Sequence, residues 1–136
     1  RDWLQKGYIV VSDRYIGANI GHQGGKIRNA KKQKKFFKWL YDLEYKIFRI
    51  KRPTISIILK VPPKIAQKLI GKPNRPRKKD IHEKIAAHFV NTEKAYLRAA
   101  KLFPNDFRVL ECTASKTLLP PRAIHEKIWH MVKRYL

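Results

Sequence analysis

Asp13-Arg14-Tyr15 sets a carboxylate, a guanidinium and a phenol side by side, immediately after the apolar run Tyr8-Ile9-Val10-Val11-Ser12. If that run is a strand of an open α/β sheet, the triplet emerges at its carboxyl end, where ligands of such sheets bind. An acid placed there can orient Mg²⁺-bound water, and the planar fork of an arginine can grip a phosphate. Read by itself, the same triplet is more readily an ion pair that closes a strand, since structural pairs outnumber functional sites. A glycine-spaced stretch follows through Gly25, and a second cluster of interest, the breaker-rich basic segment Gly71 to Asp80, lies further along the chain.

The elements that must position these residues can be read from periodicity. A continuous apolar run after Gly7 predicts a strand buried on both faces. From Lys26 to Ile50 the pattern is helical, with Phe36, Leu40, Leu43, Ile47 and Ile50 as the apolar stripe. Pro53 stops that element and Thr54-Ile55-Ser56-Ile57-Ile58-Leu59 reads as a second buried strand. Pro62-Pro63 opens a short helix to about Ile70. The segment from Gly71 to Asp80 is too rich in breakers for regular structure. Beyond it a helix presents Ile81, Ile85, Phe89, Thr92, Tyr96 and Ala99 on one face. Phe107 to Cys112 is a third strand. After Leu118-Leu119-Pro120-Pro121, a last helix carries Ile124, Ile128, Met131, Val132 and Tyr135. Strands alternating with long helices predict an α/β fold with a parallel sheet in three layers. Three strands are few for so many helices, and the chain opens at Arg1 on what reads as the last turns of a helix stopped by Gly7. The expectation is a single partial domain over residues 1–136, with strands missing upstream.

Composition narrows the partners. The chain has 136 residues, 32 Lys+Arg and 10 Asp+Glu, for a formal charge of +22. With 43% hydrophobic and 11% aromatic residues there is enough apolar surface for a core, which argues against disorder. A single Cys excludes a disulfide framework and points to a reducing, cytoplasmic setting. No apolar run approaches the ~20 residues that span a bilayer, so no membrane partner is expected. The charge calls for an anion. The cations between Lys26 and Lys38 are distributed around the helix and form no single stripe, which favours a solvated face over a nucleic-acid patch. His82, His88, His125 and His130 form no metal-ligand spacing with Cys112. Trp3, Trp39 and Trp129 read as core or half-buried anchors, and Cys112 as an inert small hydrophobe.

The stretch Asp13-Arg14-Tyr15-Ile16-Gly17-Ala18-Asn19-Ile20-Gly21-His22-Gln23-Gly24-Gly25-Lys26-Ile27 resembles the thymidylate kinase family, whose members carry Asp-Arg-Tyr or Asp-Arg-His followed by Ser or Asn and a Tyr-Gln-Gly-like segment. The resemblance continues through Lys60-Val61-Pro62-Pro63-Lys64, similar to the family's strand-to-helix corner, and through a basic loop at about 71–83 that looks like its LID. It extends over essentially the whole chain. It implies a P-loop NTPase-like α/β/α fold and the reaction ATP + dTMP giving ADP + dTDP with Mg²⁺, in a homodimer formed through long helices. Residue by residue, it implies that Asp13 supports the metal and Arg14 clamps the acceptor phosphate. Asn19 and Gln23 would face the thymine edge, and His22 would stand where Tyr or Phe packs on the deoxyribose. Arg75, Arg77, Lys78 and Lys79 would be LID cations over the ATP phosphates.

Departures are equally legible. Lys60 stands where Asp is usual, Lys64 where Glu is common, and Cys112-Thr113 where Asp-Ala is familiar. No Gly-x-x-x-x-Gly-Lys-[Ser/Thr] occurs in the chain, so nothing in it cradles β- and γ-phosphates. The resemblance therefore predicts a fragment that is inert alone, with the segments at Tyr8 and Thr54 parallel and a gap between them. One rival competes from the same residues: Ile20-Gly21-His22-Gln23-Gly24-Gly25-Lys26-Ile27 matches the Ile-Gly-x-x-Gly-x-x-Ile loop by which KH domains clamp RNA. A KH domain, however, needs a strand soon after the helix, where this chain continues through Phe36-Phe37-Lys38-Trp39-Leu40.

Overall fold

The structure is a computed structural model that describes residues 2–69 and 79–136. Helix α1 (Asp2–Gln5) ends as expected at Gly7, whose φ of 79° supplies the left-handed turn. Two backbone bonds complete the stop, Gly7 N–H to the Leu4 carbonyl and Tyr8 N–H to the Trp3 carbonyl. The strand expected over Tyr8–Ser12 does not form. The segment belongs to no hydrogen-bonded ladder among the described residues, and Val11 is 91% exposed. An apolar run becomes a buried strand only when neighbours pair with its backbone and cover its faces, and the described residues supply neither.

Tyr15 caps α2 (Ile16–His22) in an extended conformation and a 3₁₀ turn follows over Gly24–Lys26. The long helix begins at Ala30, four residues later than the expected Lys26, because Asn29 accepts the Lys32 N–H at 3.0 Å and resets the N-terminus. This helix, α3 (Ala30–Tyr41), buries Gln33, Phe37, Leu40 and Tyr41. Of the expected stripe past Leu40, Leu43 is half-buried and Ile50 packs against the core, and only Ile47 leaves it, for a geometric reason. Asp42–Ile47 is a π-helical turn, closed by Phe48 N–H to Leu43 carbonyl, which shifts every later side chain in phase and leaves Ile47 exposed.

Strand β1 (Ser56–Lys60), helix α4 (Pro63–Leu69) and strand β2 (Phe107–Glu111) agree with the expected elements to within a residue or two. The two strands are parallel, Ser56 opposite Phe107 and Lys60 opposite Glu111. Between them runs α5 (Lys79–Leu102), whose start places residues 79–83 of the LID-like segment in a helix; Arg75, Arg77 and Lys78 lie outside the described residues. Beyond β2 comes an unexpected hairpin, β3 (Thr113–Ala114) with β4 (Thr117–Leu118), turned through Ser115 and Lys116, both with positive φ. Two successive left-handed residues make a type I′ turn, normally an Asn-Gly signal, which explains why Ser-Lys did not announce it. The last helix, α6 (Pro121–Val132), buries no residue fully.

The core is formed where α2, α3, α5 and β2 meet: Ile16, Ile20, Phe37, Leu40, Tyr41, Ala95, Ala99 and Phe107. None of the tryptophans joins it. Trp3, Trp39 and Trp129 are 67%, 56% and 47% exposed, on helices that the described chain covers on one side only. A second anchor ties the α3 end to the sheet. Tyr41 stacks on Phe103 with centroids 3.8 Å apart, and Arg52 lies over the Tyr45 ring at 4.3 Å while pairing with Asp106 at 3.3 Å. Burial, with Asp106 nearby, pushes the Tyr45 phenol up to about 12.

Candidate functional site

Helix α2 and the turn after it organise the residues that the sequence singles out. Arg14 has φ of 70°, a left-handed conformation that costs a side-chain-bearing residue roughly 1–2 kcal/mol. Ser12 Oγ donates to the Arg14 carbonyl at 2.8 Å, and the Tyr15 hydroxyl donates to the Lys51 carbonyl at 2.8 Å, which fixes the triplet against the segment that leads into β1. Asp13 and Arg14 are exposed, and they follow an unpaired segment instead of a strand end. That corrects their expected setting. Asp13 makes no ion pair among the described residues.

One turn further on, His22 stacks on His88 of α5 with centroids 5.7 Å apart and planes 17° from parallel. Burial lowers the His22 pKa below its ordinary 6.5, and the positive charges of Arg14 and Lys26, with His88 beside it, lower it further. Arg14 also acts on Tyr96, opposing the rise that burial imposes on the phenol. Arg14, His22, His88 and Tyr96 thus share one electrostatic neighbourhood. Gln23 joins its edge, with its Oε1 accepting from Lys26 Nζ at 3.0 Å. With the oxygen engaged, the free side of that amide is its N–H₂ donor pair. Asn19 is exposed one turn back on the same face as Gln23. Of the sequence-predicted residues, the structure brings Arg14 and His22 together, sets Asn19 and Gln23 beside them, and leaves Lys79 at the distant start of α5.

The glycines of this stretch are packed, which decides against the RNA-clamp reading. A Cβ on Gly21 would stand 2.2 Å from the Tyr96 ring, one on Gly24 would stand 2.5 Å from Phe37, and one on Gly25 would stand 3.1 Å from the Thr92 backbone. Gly21, Gly24 and Gly25 are buried. A loop that clamps an RNA backbone must be open to it; this one is closed by α3 and α5.

Three residues of the site, Gln33, Tyr96 and His88, were not assigned to it from the sequence. Gln33, 2% exposed, donates from Nε2 to the carbonyls of Gly24 at 2.8 Å and Ile27 at 3.2 Å, and its Oε1 accepts from Arg98 at 3.0 Å. It holds the glycine turn against α3 and α5. Its signal was a polar residue at a core register position of an amphipathic helix, visible once the stripe is read from Gln33 through Phe37 and Leu40. Tyr96 and His88 reach the site only through the fold. Lys60, the departure from the expected Asp, pairs with Glu111 across the sheet at 2.7 Å, which raises the lysine's pKa and lowers that of the carboxylate. Cys112 is buried and its thiol is pushed up by that burial, as an inert side chain should be. No group of three or more His, Cys, Asp or Glu poised to hold a metal exists among the described residues. No helix among them is long and apolar enough to cross a membrane.

Parallel strands joined through helices, with a charged turn and a packed glycine segment beside them, make this an α/β protein with a parallel strand pair. Comparison with known proteins gives the relationship. The chain is 30% identical over 112 residues to the thymidylate kinase of Cupriavidus taiwanensis, and 32% identical over 114 residues to that of Janthinobacterium sp. (strain Marseille), in each case over 82% of this chain and 51% of the relative. A probable thymidylate kinase of Pyrobaculum aerophilum is 36% identical over 64 residues, 47% of this chain and 28% of that protein. The protein is a relative of the thymidylate kinases. It spans about half the length of the curated relatives it matches. No family model matches the chain.

Proposed function

We propose that the protein acts in the phosphorylation of dTMP to dTDP with ATP, and that this chain supplies the acceptor-nucleotide side of the site as part of a larger kinase domain. The observation that carries the reading is the 30–32% identity, over 82% of the chain, to proteins named thymidylate kinase. Phosphoryl transfer asks a protein mainly for positioned positive charge, and the residues present suit that demand. Arg14 anchors the acceptor phosphate through its guanidinium fork. His22, held neutral near pH 7, packs against the sugar with His88 behind it. Gln23, its oxygen occupied by Lys26, offers N–H donors to the carbonyl oxygens of a pyrimidine such as thymine, and Asn19 lines the same edge.

Mg²⁺ fits this chain in a limited way. A hard cation that travels with nucleotide phosphates needs only one or two carboxylates from the protein, and Asp13 is an exposed carboxylate next to the phosphate-anchoring arginine. When bound, the ion would neutralise charge on the phosphates; Asp13 is the oxygen ligand at hand. Arg75, Arg77, Lys78 and Lys79 are the cations available to close over ATP. Its β- and γ-phosphates need a P-loop that these 136 residues do not contain, so the chain alone is expected to be inactive. Pairing into a homodimer and a cytoplasmic location complete the proposal.

The test is a coupled ADP-release assay on the protein expressed from its complete gene, comparing dTMP with dUMP, dCMP and GMP. Turnover should be fastest with dTMP, and Arg14→Ala should lower kcat/KM by about 10²-fold or more, the usual loss of one preorganised charge donor. Unchanged turnover in Arg14→Ala would remove that residue from the site, and absence of dTMP-dependent ADP release would reject the activity.

A further inference from the structure

Helices α3 and α5 each carry cations that look scattered along the sequence and become one surface once the helices pack together. On α3, Lys31, Lys34 and Lys38 follow one another at helical spacings of three and four, with Lys34 on the rim of the hollow that α3 shares with α5. Lys94, Arg98 and Lys101 follow one another at such spacings on α5. All six are exposed. Helix α3 has no acidic residue at all, and none of the six makes an ion pair among the described residues. Glu93, the acid nearest in sequence, turns away to line a separate depression bounded by β1 and α4.

Between the two rows lies a depression of about 270 Å³, with Ala30, Phe37 and Leu102 forming its apolar lining and Lys34, Arg98 and Lys101 its rim. Arg98 is not a loose side chain. Its guanidinium donates to Oε1 of the buried Gln33 at 3.0 Å, so one rim cation is held in place before any ligand arrives. A row of uncompensated cations on each side of a small apolar hollow matches a chain of phosphates with bases that can be turned inward.

We propose that the α3–α5 ridge is a docking surface for single-stranded nucleic acid, its backbone phosphates tracking the two lysine-rich rows and a splayed base entering the hollow between them. A single strand fits better than a duplex, because only unstacked bases are free to leave the strand. Charge complementarity selects the partner: two rows of cations with no carboxylate paired to them among the described residues concentrate polyanions and release their counterions. The proposal stands apart from the kinase reading, since none of the six residues belongs to the Arg14–Gln23 site. It also differs from the RNA-clamp reading, whose glycine loop is closed by packing.

The experiment is fluorescence anisotropy of the intact chain with a labelled oligouridylate of roughly 12 nucleotides, a duplex of equal length, and phosphatidylserine vesicles, over a salt series. Lys34→Gln combined with Lys101→Gln should weaken binding to the single strand by about tenfold at moderate salt. The pair should also lower the log–log salt slope by about 1.4, at roughly 0.7 for each phosphate no longer neutralised. Lys34→Arg with Lys101→Arg should retain binding. The charge-matched pair Arg122→Gln with Lys133→Gln, at the far α6 end of the chain, should leave affinity within twofold. Circular dichroism of each variant should match the parent, since glutamine and lysine have similar helix propensities and these positions are exposed. Equal losses in both glutamine pairs would overturn the proposal by showing only the diffuse attraction of a +22 molecule. Tighter binding of the duplex, or vesicle binding without oligonucleotide binding, would overturn it as well.

Discussion

His22 concentrates the residue-scale physics of the site. Its imidazole is half-buried, stacked on His88, and under the field of Arg14 and Lys26, and each influence favours the neutral ring. Because its pKa is lower in the folded chain than in the unfolded one, the unfolded state binds the extra proton first as pH falls. Stability attributable to His22 is therefore complete above about 6.5 and is lost progressively as pH drops through the folded value. Thermal unfolding measured from pH 8 to pH 5 should show a decline in Tm below pH 6.5 that His22→Gln reduces; an identical acid limb in the variant would show that other groups set it. In the proposed site, a neutral His22 would leave Arg14 and Lys26 as the neighbouring positive charges for a phosphate. Lys60 makes a complementary point: a residue of unexpected sign is accommodated because Glu111 stands opposite it in register.

At the scale of elements, the decisive packing is that of α2 and its following turn against α5. Gly21 faces the Tyr96 ring so closely that an added methyl would overlap it. Gly21→Ala should destabilise the chain by about 1–3 kcal/mol, the usual cost of overpacking, and Tyr96→Leu in the same chain should recover part of the loss. Urea unfolding of the three proteins measures both effects, and a neutral Gly21→Ala would contradict the packing. This arrangement was half-legible in the sequence. The glycine spacing from Gly17 to Gly25 marked a special segment, yet sequence alone could not distinguish glycines that admit a ligand from glycines that admit a ring. Parallel β1 and β2, α4 and α6 were readable because prolines and β-branched runs bound them. Three features were hidden for physical reasons. The π turn at Asp42–Ile47 breaks the 3.6-residue period on which the stripe was read. The Ser115-Lys116 turn lacks the glycine that advertises left-handed geometry. Tyr8–Ser12 has strand composition, but a strand is a property of a pair, and no partner lies among the described residues.

For the whole molecule, the charge of +22 divides into parts with different explanations. Arg14 and Lys26 act at the candidate nucleotide site, Arg52 and Lys60 are paired within the fold, and the α3–α5 rows form a coherent surface of their own. Among the described residues, the β1–β2 sheet supports helices whose outer faces stay open, which is why three tryptophans and the Tyr8–Val11 run are exposed. Of the residues to which the sequence resemblance gives roles, Arg14 and His22 share one electrostatic neighbourhood in the fold, with Tyr96 beside Arg14 and His88 stacked on His22. The most direct test of that account is a titration of the 136-residue chain with dTMP, followed by NMR at the His22 imidazole and the backbone amides from Asp13 to Gln23. The account predicts saturable shifts confined to that segment and its α5 neighbours, weaker with GMP and abolished in Arg14→Ala; shifts absent with dTMP, or unchanged in Arg14→Ala, would contradict it.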